Sequence, residues 1–390
     1  MGTGQASSPV VGTAAPARTA PARPSARKAH EAPVVAIAGG GTAGHVFPGI
    51  AVAEKLGCRV FWIGSAGGVE GKLVRQAGID FHGIPAGKLR RYLSLRNLTD
   101  VVRVVAGIVA SVRVLRHERP SLLFSKGGFV SVPPVIAARI CGIPSVTHES
   151  DFDPGLATRI NLRFSEKVFV SFPDTIGYLP DRYREKAVVT GNPVRSALRA
   201  GDAARGRSAV GCPADRPLVL VMGGSLGSAF INSIVSRVAP RLAGKYFIVH
   251  QMGEKEFVSS ALSGYVTRAF ISDELPDIMA AAALVVSRSG ANTLSELAAI
   301  GKPMMLIPLP TAGSRGDQLR NAEVFRKAGA AVVLQEEETS PESFLFAVEE
   351  LLQDTARLSR MAAQARSMSG GDSAGRIAAL IMERAAGRTR

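Results

Sequence analysis

Twice in this sequence a run of glycines stands between a short β-branched segment and an amphipathic one. The runs are Ala38-Gly39-Gly40-Gly41-Thr42-Ala43-Gly44-His45 and Met222-Gly223-Gly224-Ser225-Leu226-Gly227. A strand that ends in glycine and reopens as a helix is the joint of a βαβ unit, and such units build parallel sheets covered on both faces. Around the first run, Val34–Ala38, Arg59–Ile63, Leu122–Phe124, Ser145–Thr147 and Lys167–Val170 read as strands, with helical patterns such as Val46–Leu56 and Val132–Cys141 between them. Residues 199–216 interrupt the alternation with Gly, Ala, Arg, Asp and Pro. A second series follows: Leu218–Met222, Tyr246–His250, Val266–Phe270, Leu284–Val286, Met304–Ile307 and Ala331–Leu334. Residues 341–385 read as helices alone. The expectation is an α/β chain of two similar doubly wound domains, with ligands outside the carboxyl ends of the strands and a cleft where the two edges face. The expected divisions are a disordered Ala/Pro/Arg-rich leader (1–32), a first domain (33–198), a linker (199–216), a second domain (217–372), and a C-terminal helix and tail (373–390).

Composition narrows the functions. The 46 % apolar share supports sizeable cores, and three widely spaced cysteines (Cys58, Cys141, Cys212) exclude a disulfide framework and suit a reducing compartment. The net charge of +15 favours an anionic partner. Nucleic acid is a remote reading: four basic groups lie in the leader, no zinc finger or RNA-binding aromatic signature is visible, and 6 % aromatic content offers few stacking platforms. The longest apolar run, Val104 to Val112, falls far short of a membrane span. The leader lacks the apolar block of a signal peptide, although an organelle transit peptide has similar composition.

Gly39, Gly41 and Gly44 fit the dinucleotide pattern G-x-G-x-x-G, but the second strand ends Trp62-Ile63-Gly64-Ser65 without the acid that would hold a ribose. The loop therefore suits phosphate approach, with Thr42, Ala43 and Gly44 at the opening of a helix. Gly224 and Ser225 hold the equivalent place in the second series. A third turn, Ser287 to Glu296, offers Ser289 and Gly290 to a diphosphate and Glu296 to the two hydroxyls of a ribose; Glu296 could equally only complement its helix dipole. Scattered histidines show no metal-ligand spacing, so neither a metal nor another cofactor is expected.

Together these motifs resemble the MurG family of peptidoglycan glycosyltransferases. The matching segments are Gly40–Pro48, Lys126-Gly127-Gly128-Phe129-Val130-Ser131, His148-Glu149 with Pro154-Gly155-Leu156, Gly191-Asn192-Pro193-Val194-Arg195, Gly223-Gly224-Ser225, Arg288-Ser289-Gly290-Ala291 and Ser295-Glu296-Leu297, in order over residues 33–385. The resemblance implies the GT-B fold of two Rossmann-like domains. It implies inverting, metal-independent transfer of N-acetylglucosamine from UDP-N-acetylglucosamine to the muramyl sugar of lipid I, giving lipid II. It places Arg195 and Ser225 on the donor diphosphate, Glu296 on the ribose and Gln318 on a sugar hydroxyl. It further implies a peripheral position on the cytoplasmic face of the plasma (inner) membrane. Departures from the family pattern stand at Ala43 (usually Gly), Ser150-Asp151 (usually Gln-Asn), Leu226 (usually Gln) and Asp317 (often Gln or His).

For the proton of the attacking hydroxyl, His45 is the first candidate, because it opens a helix whose positive end favours the neutral ring. Asp151, a new carboxylate in the cleft, and Glu149 are its rivals. His148 is expected to hold the acceptor loop, and Lys126 to lie on the acceptor side. Residues 88–119 interleave basic and apolar side chains, among them Lys88, Arg90, Arg91, Leu93 and Leu95, and suit either an anionic membrane surface or a solvated helix packed by one stripe. Other GT-B enzymes, acting on a different glycolipid or epimerising a UDP-sugar, share much of this pattern. The oligomeric state is not legible.

Overall fold

The computed structural model describes residues 1–2, 32–87, 95–224, 226–311 and 316–387, with the backbone alone over 95–99. The leader from residue 3 to 31, Lys88, Arg90, Arg91, Leu93 and Ser225 lie outside the described residues, as does the side chain of Leu95.

Among the described residues, thirteen strands fall into two sheets. The first comprises β1 (Val34–Gly39), β2 (Arg59–Ser65), β3 (Asp80–Ile84), β4 (Leu122–Gly127), β5 (Ser145–Glu149), β6 (Lys167–Val170) and β7 (Ala187–Val189), in the order 3-2-1-4-5-6-7. The second comprises β8 (Leu218–Met222), β9 (Phe247–Gln251), β10 (Tyr265–Arg268), β11 (Ala282–Ser287), β12 (Met304–Leu306) and β13 (Ala331–Val333), in the order 10-9-8-11-12-13. Every pairing is parallel. Each sheet is doubly wound, with its strand order reversing between β1 and β4 or between β8 and β11. At such a point the connections leave in opposite directions and open a crevice.

The two-residue period of each central strand divides the cores. Val35 and Ile37 pack with the helix Ala43–Leu56, whereas Ala36 and Ala38 face Leu115 and Val135 on the other side. Leu218 and Leu220 face Ile278 and Leu297, while Val219 and Val221 face Ile231 and Phe344. The C-terminal helix Ser373–Ala386 returns to the first sheet, where Ile377, Ala378 and Ile381 join the Val35 core. The stretch expected as a linker is partly folded: Ala203–Val210 is a helix whose Gly206 lies against the Asp277 carbonyl, and Arg205 pairs with Asp277 at 2.9 Å. Strands β3 and β7 were not expected; Asp80, His82 and Gly83 give β3 little strand character, and both are edge strands.

Behind the second sheet, His250 is fully buried. Its Nε2–H donates to Asn232 Oδ1 (3.1 Å), which leaves Nδ1 to accept from the Tyr265 hydroxyl (2.8 Å). Burial lowers the imidazolium pKa to about 4, so the ring is neutral. Between pH 6.5 and about 4 the unfolded chain takes up a proton that the folded ring refuses, and stability falls as pH falls. His250 alone should contribute about 3 kcal/mol of that loss. Urea unfolding from pH 7 to pH 4 should therefore show a shallower acid loss in His250→Gln than in the wild type. Identical slopes would remove His250 as a source of acid sensitivity.

Candidate functional site

Two cavities open where the reversal points of the sheets face each other. The larger, about 380 Å³, is lined from the first half by Thr42, Ala43, Gly44 and Phe47, and from the second by Gly224, Arg288, Gly290, Glu296 and Gln318. The smaller, about 190 Å³, lies in the first half among His45, Lys126, His148, Glu149, Ser150 and Asp151. Gly44 and His45, neighbours in the chain, line different cavities.

Helix ends explain why the larger cavity suits an anion. Thr42 precedes Ala43–Leu56 and Gly290 precedes Ala291–Ala299; neither helix has a side-chain cap or an acid in its first turn. Their leading N–H groups keep the partial positive charge that a side-chain cap would satisfy. The second glycine run differs from its expectation in this respect. Its helix, Ala229–Leu242, is capped by Ser228, whose hydroxyl accepts from Ile231 N–H (3.3 Å) and from Arg288 Nη2 (2.7 Å). Arg288 also donates to the carbonyls of Ile307 and Pro308 and pairs with Glu336, so it braces the wall of the cavity.

Arg195 and Glu296 meet across the mouth of the larger cavity at 3.2 Å, and the Arg195 guanidinium lies 4.2 Å from the centre of the Phe47 ring. Burial pushes the Glu296 carboxyl up, and Arg195 opposes that shift. Ser289 donates to the Gln318 carbonyl (2.9 Å), while Gln318 Oε1 accepts from Leu309 N–H (3.0 Å).

In the smaller cavity, Glu149 accepts from Asp151 N–H (3.0 Å) and Gly155 N–H (2.9 Å), one bond to each oxygen. It thereby shapes the loop. Asp151 Oδ1 accepts from Asn321 Nδ2 in the opposite half (3.2 Å). The His45 ring lies so close to Gly128 that a Cβ there would stand 2.9 Å from Cδ2, and the Gly128 φ of 76° also favours glycine. Lys126 is 1 % exposed; its ammonium donates to Ser150 Oγ, and burial lowers its pKa to about 8 against the pull of Glu149 and Asp151. His148 donates from Nε2 to the Gly191 carbonyl (3.0 Å), and its burial together with Lys126 keeps the ring neutral.

Some residues that shape the site escaped sequence reading. Glu70, fully buried, accepts from Ser65 N–H (2.8 Å) and Gly41 N–H (3.3 Å) and so anchors the first glycine loop. Asn321 accepts from Phe152 N–H (3.0 Å) and donates to Asp151 and the Ser289 carbonyl, joining both halves. Nothing local marks a residue whose partners lie 32 to 170 positions away.

Models of glycosyltransferase family 28 match this chain twice, the N-terminal domain over residues 35–170 and the C-terminal domain over 218–377. A Treponema denticola protein named UDP-N-acetylglucosamine–N-acetylmuramyl-(pentapeptide) pyrophosphoryl-undecaprenol N-acetylglucosamine transferase is 42 % identical over 366 residues, covering 86 % of this chain and 94 % of its own. The chain belongs to the MurG family. A Treponema pallidum protein of the same name is 45 % identical over 359 residues, covering 88 % of this chain and 94 % of its own. The crystal structure of Acinetobacter baumannii MurG is similar with a TM-score of 0.69 at 27 % identity, over 90 % of this chain and 99 % of that one. A UDP-GlcNAc 2-epimerase from Neisseria meningitidis, at TM-score 0.63 and 14 % identity over 90 % of this chain and 99 % of its own, shares the fold alone. The expected fold of two Rossmann-like halves is the one observed, and among the described residues no helix is long and apolar enough to cross a membrane.

Within this MurG-family cleft, Asn321→Ala would strand the buried Phe152 N–H and release Asp151. A stranded donor costs about 1–3 kcal/mol, so thermal unfolding should begin several degrees lower. An unchanged midpoint would show that the bridge adds nothing.

Proposed function

We infer that this glycosyltransferase moves N-acetylglucosamine from UDP-N-acetylglucosamine to the muramyl sugar of lipid I, giving lipid II, the chemistry for which its Treponema relatives are named. The observation that carries the reading is the placement of Gly44 and His45 on adjoining cavities. A donor in the larger one and an acceptor hydroxyl in the smaller one meet at the first turn of a single helix.

The reaction is a single displacement that inverts the anomeric carbon. The acceptor oxygen forms the new bond as the bond to UDP breaks, and the electron pair leaves on the diphosphate. The uncapped amides at Ala43 and Ala291, the loop at Gly224 and Arg195 face that charge, so the site needs no metal to balance it. Glu296 accepts from the ribose hydroxyls and Gln318 from or to the sugar. His45 takes the proton. Glu149 is engaged by two backbone amides and Asp151 by Asn321. Lys126 and the neutral His148 serve the acceptor side.

An acceptor carried on a polyprenyl chain resides in a membrane, so reaching it there brings the protein to a membrane surface. In the helix Leu95–Glu118, Gly107, Ser111 and Leu115 face the core, while Val101, Val102, Val105 and Val109 are exposed, at 47 to 62 %. We propose that this valine face, flanked by Arg103, Arg113 and Arg116, rests on an anionic bilayer at the cytoplasmic face of the plasma (inner) membrane.

The full chain, given radiolabelled UDP-N-acetylglucosamine and lipid I, should yield label extractable into butanol. Glu296→Ala should raise the donor KM by about 10- to 100-fold, the loss expected of a charged hydrogen bond, with kcat changed far less. Label that never enters the lipid phase, or a donor epimerised without acceptor, would overturn the reading. In liposome sedimentation, Val102→Glu with Val105→Glu should abolish binding that increases with anionic lipid. Binding indifferent to lipid charge would refute the electrostatic part.

A further inference from the structure

One side chain lies between the two cavities and bonds to both halves. Asn192 is 6 % exposed and sits where the chain leaves the first half. Its Oδ1 accepts from Ser150 Oγ (3.2 Å), and Ser150 in turn accepts from the Lys126 ammonium in the smaller cavity. Its Nδ2 donates to Asn292 Oδ1 (2.8 Å) and Ser295 Oγ (3.3 Å), both on the helix that carries Glu296. Asn292 Nδ2 then donates to the carbonyl of Gly44 (2.9 Å), beside His45.

The last link has a covalent reason. In a helix the Gly44 carbonyl would accept from the N–H four residues on, and that residue is Pro48, which has none. The proline leaves a carbonyl open inside the cleft, and the opposite half fills it. Every bond in the series points the same way, from Lys126 to Gly44, so each donor polarises the next. Movement of Lys126 toward an acceptor therefore reaches the helix that holds the donor and the loop that holds His45.

We propose that Asn192 is a positioning residue that couples the two cavities, so that an occupied acceptor site changes the affinity of the donor site. This rests on the transferase reading above. Coupling between sites is reciprocal and commonly amounts to about 5- to 150-fold.

UDP serves as a non-reacting probe. Its Kd is measured calorimetrically on the full chain in detergent, without and with saturating lipid I. In the wild type the two values should differ by about fivefold or more. In Asn192→Ala the ratio should fall below about twofold, while the Kd for UDP alone stays within about threefold of the wild type. Asn192→Asp keeps the oxygen for Ser150 and loses both donations to the second half; it should uncouple equally. Ser150→Ala cuts the other side and gives the same result if Asn192→Ala does not fold. A wild-type ratio near one, variants that keep the wild-type ratio, or a UDP Kd weakened more than tenfold without acceptor would each overturn the proposal. If the wild type neither binds UDP nor transfers sugar, the transferase reading fails instead.

Discussion

Helix N-termini left without caps determine how this molecule works. A parallel sheet must return each strand through a helix, and at a reversal of strand order the first turns of two helices face one opening. The chain caps five of its described helices with its own side chains, at Asp202, Ser228, Ser340, Asp354 and Asp372, and leaves others uncapped, Glu70–Gln76 and Val132–Ile140 among them. The ends at Thr42 and Gly290 are uncapped too. Capping those ends would add about 1 kcal/mol each, and forgoing it leaves donors oriented toward the cleft in advance of any ligand. Preorganisation of this kind lowers the reorganisation a reaction must otherwise supply.

Holding such ends open requires bracing, and the bracing is polar and long-range. Glu70 ties down the first glycine loop with a buried carboxylate that accepts backbone N–H bonds. Arg288 braces the second half through two carbonyls, the Ser228 cap and Glu336. Asn192 and Asn321 stitch the halves together with amides that both donate and accept. An amide suits this task because it satisfies two partners of opposite kind without burying a charge.

These features differ in how far they could be read from the chain alone. Buried central strands announce themselves: Lys167–Val170 and Leu218–Met222 are observed at their expected bounds because continuous apolar runs flanked by breakers admit little else. The edge strands of the first sheet do not, since Asp80 to Ile84 is half polar and held by one neighbour. The glycine loops were legible because φ and close approach leave a mark on residue type. Glu70 and Asn321 were silent, because each is an ordinary polar residue until folding brings its partners near, and Asn192 was marked only as part of a matching segment. The cap at Ser228 was overlooked for the opposite reason: glycines drew attention to the loop, while one serine had already satisfied part of its helix end.

The ion pair at the cleft mouth answers a need that burial creates. Glu296 is largely buried, and a buried carboxylate without a partner would take up a proton. Arg195 supplies the partner, and Phe47 shields the other face of the guanidinium. Both residues are also those that the family resemblance matches to the diphosphate and the ribose, so the two groups proposed to bind the nucleotide pair with each other. On the proposed reading a nucleotide would exchange one set of charge contacts for another, with the diphosphate in place of Glu296 before Arg195 and the ribose hydroxyls in place of Arg195 before Glu296. Each charge keeps a partner throughout, which spares either group the cost of standing alone in a low-dielectric cleft. The amide links through Asn192 and Asn321 use neither residue, so they join the halves independently of this ion pair.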